Sequence, residues 1–168
     1  TNSGFIKGLS RVEFTICKKF PNVIYAIGNL NGAASLVMKS SDGGVTWVTK
    51  GNASSTGGDI TNGQVWYDLT ICVAPSDSNR LWVGGVPVGR SIDGANTFTN
   101  ITGSMHVDQH ITMFDPNDDN ILYFGNDGGI YRCANPLANT MTIENKEFNY
   151  NTSQFYAVAL HPDSLSNY

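Results

Sequence analysis

Three side chains able to bind metals or move protons alternate in His106-Val-Asp108-Gln-His110. In an extended segment they share one face, about 6–7 Å apart per step of two residues. Two imidazoles and a carboxylate suit zinc or another transition metal, but a span of about 13 Å requires the strand to bend before one ion is shared. The plainer reading makes them a hydrogen-bonded polar set at the mouth of a channel. Asp127, in Gly125-Asn-Asp-Gly-Gly129, either organises a tight turn through its side chain or offers a carboxylate for acid–base chemistry. A glycosidase needs a second carboxylate about 5–9.5 Å away. Asp68 and Asp108 are the candidates. Trp66, Tyr67, Phe155 and Tyr156 supply rings that stack on sugar faces, anchor a peptide, or simply pack between layers.

What positions these groups is a repeat. Short apolar runs ending in proline recur as Phe14–Pro21, Leu69–Pro75, Ile111–Pro116 and Ala157–Pro162. Each is followed by Asn, Ser or Asp, and the first three lead into a second apolar run ending in glycine. The spacing predicts an all-β protein, a partial β-propeller built of four-stranded antiparallel blades. Blades are expected at about 11–52, 66–103 and 106–150, with an incomplete fourth at 154–168. The four strands of the first fall near 13–18, 22–28, 34–41 and 46–50. Those of the second fall near 67–73, 80–85, 87–91 and 97–102, and those of the third near 109–114, 121–125, 129–133 and within 141–148. Aligning the later prolines puts Leu69, His110 and Tyr156 at equivalent inner-strand positions, preceded by Asp68, Gln109 and Phe155, then by Tyr67, Asp108 and Gln154. The start of each inner strand shares a face with the loop between the second and third strands. Asp127 should therefore lie near His110, and a ligand on this entrance face would meet Tyr67, Asp68, Asp108, His110, Asp127 and Tyr156.

A second motif marks the opposite face. Ser40, Asp42, Gly44, Thr46 and Trp47 spell S-x-D-x-G-x-T-W, a hairpin in which Asp42 bonds nearby N–H groups and Trp47 anchors the turn. Ser91, Asp93, Thr97 and Phe98 repeat it with Ala95 in place of the glycine, whereas Ala134–Thr140 has lost it. The pattern resembles the Asp-box, or BNR repeat, of sialidase-like, sortilin-like and xyloglucanase-like β-propellers. Together with the stretch from His106 to Arg132 it is similar to large secreted Bacteroidota repeat proteins. That resemblance implies a six- to ten-bladed ring, a secreted or cell-surface bacterial setting, and either a non-catalytic binding or scaffolding module or a β-glucan hydrolase with Asp127 as one carboxylate. The arginine triad and tyrosine nucleophile of sialidases have no counterpart among Arg11, Arg80, Arg90 and Arg132.

Composition narrows the partners. A net charge of −4 without a basic stripe excludes a nucleic-acid footprint. No apolar run approaches the ~18 residues of a membrane span. Cys17, Cys72 and Cys133 lie in strand-like runs, match no zinc spacing and read as small buried hydrophobes. No cofactor motif is read, and the expected partners are a protein or glycan ligand together with further blades or another chain to close the ring. Trp47, Trp82, Phe98 and Tyr123 are expected in the core.

Overall fold

The computed structural model describes residues 3–32, 34–54 and 58–147. Gln154, Phe155, Tyr156 and the expected fourth-blade strand lie outside the described residues. Among the described residues twelve strands form three four-stranded antiparallel sheets, each a meander in chain order. The first holds β1 (Leu9–Ile16), β2 (Ile24–Leu30), β3 (Ala34–Ser40) and β4 (Val48–Asn52). The second holds β5 (Thr70–Val73), β6 (Leu81–Gly84), β7 (Val88–Ser91) and β8 (Thr99–Asn100). The third holds β9 (Gln109–Phe114), β10 (Leu122–Asn126), β11 (Gly129–Cys133) and β12 (Ile143–Asn145). The inner strands β1, β5 and β9 touch in succession, as blades around a common axis must.

Strand alternation builds the core between sheets. Cys17, Tyr25, Ile27 and Val37 of the first sheet meet Ile71, Val73, Leu81 and Val83 of the second. Trp82 and Val88 on the other side meet Phe114, Leu122 and Phe124 of the third. Burying each such side chain contributes about 1.5–3 kcal/mol. Cys17 and Cys133 are buried free thiols and Cys72 is partly buried. Trp47, Trp82 and Phe98 are buried as expected. Tyr123 is not: it lies half-exposed on the third sheet, on the face turned away from the second.

The two motif hairpins fold alike. In the first, the Asp42 carboxylate accepts from the Thr46 amide at 2.9 Å, the Thr46 hydroxyl at 2.5 Å and the Ser40 hydroxyl at 2.7 Å. These bonds, Thr46's foremost, hold the exposed carboxyl down to about 2. In the second, Asp93 accepts from the amides of Asn96 and Thr97 and the hydroxyls of Thr97 and Ser91. Ala95 takes the place of Gly44 at φ 68, so one methyl group does not prevent the turn. Gly43 and Gly94 donate to the Asn22 and Asn79 carbonyls of the β1–β2 and β5–β6 turns. Both hairpins therefore sit at the end of the blades opposite the start of the inner strands. Asp93→Ala is expected to cost about 1 kcal/mol at pH 7 in urea denaturation. The loss shrinks in acid, because Asp93 stabilises the fold above its unfolded pKa and stops doing so as pH falls through about 2.

In the third sheet a neighbour does the work of the missing motif. The buried Arg90 guanidinium donates to the carbonyls of Pro136, Ala138 and Asn139, pinning that loop from the second sheet.

Candidate functional site

β9 begins at Gln109, so His106 and Asp108 precede the strand, and Asp108 sits at φ 62 with its amide bonded to the Val86 carbonyl. The three groups at 106, 108 and 110 thus do not share one strand face. Among the described residues no three His, Cys, Asp or Glu side chains converge as a metal site.

A different set converges. Asn126 pairs with Gln109 while Gly125 pairs with Ile111, which leaves His110 as the extra residue of a β-bulge. Such a bulge re-aims a side chain. His110 Nε2 lies 2.6 Å from Asp127 Oδ1, in the β10–β11 turn. The Tyr67 hydroxyl donates to the same oxygen at 2.9 Å, and its ring meets the imidazole edge-on, centroids 4.6 Å apart. Burial works against the Asp127 charge, but the bonds from His110 and Tyr67 and the charge of His110 and His106 hold its carboxyl below the ordinary value. Trp66, 75% exposed, stands beside Tyr67 with ring centroids 5.4 Å apart. The loop before β5, the bulge of β9 and the β10–β11 turn thus bring a fixed carboxylate, an imidazole, a phenol and an open indole to one mouth.

The mouth is braced from beneath. Gln109 and Asn126 side-chain amides both donate to the His106 carbonyl, at 2.8 and 3.0 Å, and Asn126 Oδ1 accepts the Gly128 amide at 3.0 Å. Gly128 is required for room, since a Cβ there would collide with the His106 side chain, while Gly129 turns the chain at φ 115.

Asp68 is fully buried, and neither carboxylate oxygen has a hydrogen-bond partner among the described residues. Burial above all pushes its pKa up to about 7; its own amide pulls against this, and the lesser push of the Asp108 and Asp59 charges opposes the pull of His110. Asp108 Oδ1 is likewise buried and unpartnered among the described residues. The alignment of prolines brings Tyr67, Asp68, Asp108, His110 and Asp127 to one end of the blades, as read from the sequence, and Tyr156 lies outside the described residues. The burial of Asp68, the bulge and the bracing amides carry no sequence signal beyond polar letters in an inner-strand position.

No family model matches the chain, and no curated protein matches it. Solved structures do. A GH74 enzyme from Niastella koreensis superposes with a TM-score of 0.56 at 19% identity, covering 80% of this chain and 22% of that one. An ancestral GH74 enzyme gives 0.57 at 18%, covering 84% and 19%. YCF48 from Cyanidioschyzon merolae gives 0.53 at 20%, covering 83% and 41%. All are β-propellers, and the three stacked meanders make this chain a partial β-propeller too. The chain spans about a fifth of the length of the GH74 enzymes and two fifths of YCF48.

Proposed function

We propose that this chain is part of a non-catalytic binding or scaffolding module of a secreted or cell-surface bacterial protein, an Asp-box propeller that recognises a protein or glycan on its entrance face. The observation that carries this reading is the Asp127 carboxylate held by His110 and Tyr67 beside the exposed Trp66. A pre-set acceptor next to an open ring is how sites fix the hydroxyls or amides of a ligand at little ordering cost. Asp127→Asn keeps the shape and removes the charge. On an array of polysaccharides and extracellular-matrix peptides the variant is expected to bind its ligand at least tenfold more weakly than the native chain. Equal binding refutes the reading.

A β-glucan hydrolase is the second reading, favoured by the opposed shifts of Asp68 and Asp127, one raised to about 7 and the other lowered. Two observations weigh against it. Asp68 is fully enclosed, where no substrate oxygen reaches it. Asp127 Oδ1 is also already engaged, by His110 Nε2 at 2.6 Å and the Tyr67 hydroxyl at 2.9 Å. Release of reducing ends from β-glucans by the native chain, abolished in Asp127→Asn, would favour the hydrolase instead.

A further inference from the structure

Three rings among the described residues carry a cation of the chain itself: Phe20 has Lys19, Tyr25 has Lys39 and Trp82 has Arg90. Trp66, the most exposed large apolar residue among those described, carries none. Tyr67 links this open indole to Asp127. Its ring lies 5.4 Å from Trp66 and 4.6 Å from His110, and its hydroxyl donates to Asp127 Oδ1. His110 Nε2 reaches the same oxygen, whereas Oδ2 has no hydrogen-bond partner among the described residues, on a side chain 36% exposed.

The groups flanking that oxygen accept hydrogen bonds or are already committed. An ionised carboxylate only accepts, so His110 Nε2 carries the proton and Nδ1 of the neutral ring is a second acceptor. The Gln109 and Asn126 side-chain amides are committed to the His106 carbonyl. The charges that act on Asp127 and on Asp68 are those of Asp59, Asp108, His106 and His110, with no lysine or arginine among them. Arg11, which reaches the same loop, is held by the Val65 and Leu69 carbonyls and by Glu13.

We propose that the group recognised at this mouth is a cation, the arginine or lysine side chain of a protein partner, lying along Trp66 and Tyr67 with its head at Asp127 Oδ2. The proposal rests on the entrance-face reading above and chooses protein over glycan within it. Arginine and lysine lay an apolar stem on apolar surface while the charged head reaches a polar group. An indole face attracts that charge, and a carboxylate takes its hydrogen bonds more strongly than a neutral acceptor does. A sugar hydroxyl both gives and takes hydrogen bonds, and the donors flanking this carboxylate are already committed. An anionic ligand would meet like charge.

NMR of the whole chain, titrated with N-acetyl-arginine methylamide or N-acetyl-lysine methylamide, tests this. The citrulline and Nζ-acetyl-lysine analogues keep the shape of each probe and lack its charge. The Trp66 indole N–H, assigned by its loss in Trp66→Ala, is expected to shift saturably, with a charged probe bound about fivefold or more tightly than its neutral analogue. Asp127→Asn should remove that difference, and high salt should shrink it. In Trp66→Ala, followed by the His110 ring signals, the charged probes should bind about two- to fivefold more weakly. Equal affinity for charged and neutral probes, or shifts that miss Trp66 and Asp127, overturns the proposal. Neutral oligosaccharides that shift these signals where arginine and lysine do not would overturn it too, and would leave the entrance-face reading standing. No shift with any probe, together with equal binding of Asp127→Asn on the array, would remove both.

Discussion

Asp68→Asn is expected to stabilise the protein by about 2–4 kcal/mol at pH 8 and to leave it unchanged at pH 4. In the unfolded chain this carboxyl ionises near its ordinary 3.8, and in the folded chain at about 7. Between those values folding takes up a proton. The contribution of this one group is therefore most favourable below pH 4, falls as pH rises to about 7, and stays low above it. An amide is neutral throughout and escapes the penalty. Urea midpoints of the two proteins at pH 4 and pH 8 measure it. Equal differences at the two pH values would mean that the Asp68 carboxyl is solvated after all.

Trp82→Ala is expected to cost about 3–5 kcal/mol, the range for removing a fully enclosed indole from a core that collapses only in part. Trp82 has no exposed surface, meets Phe114 edge-on and carries Arg90 over its face. The damage should localise: amides of β9 to β11 lose exchange protection before those of β1 to β3, because Trp82 joins the second blade to the third. Trp66→Ala is the control. That ring is three-quarters exposed, and its loss should stay within about 0.5 kcal/mol. A cost below about 1 kcal/mol for Trp82→Ala would show that the blades do not depend on this contact.

Much of the architecture is legible in the letters because a propeller repeats itself. Prolines at 75 and 116 set β5 and β9, and the Ser40–Trp47 and Ser91–Phe98 patterns mark hairpins whose bonds the structure reproduces. The approach of Asp127 to His110 follows from the same frame, since the loop after the second strand returns to the start of the first. Other features depend on three-dimensional circumstance. A one-residue bulge at His110 leaves the alternation of β9 nearly intact and so goes unseen, yet it decides where the imidazole points. The run from His106 looks like a strand until Asp108 adopts φ 62. Asp68 reads as a channel-lining acid, and only the loops packed around it make it a buried one. Tyr123 reads as core because its counterparts Tyr25 and Trp82 are core, but it lies on the face of the third sheet turned away from the second and is half-exposed.

In all three sheets every strand pairs only with its neighbour in the chain. Among the described residues none of the three sheets waits for a distant segment to complete it, so closing each sheet costs little loop entropy, and hairpin formation on the scale of about 1–10 μs is the elementary step. Order of synthesis then becomes order of assembly. The first sheet is finished while the third is still being made, and each new blade arrives as a nearly complete plate, with only the side chains of the joint left to settle.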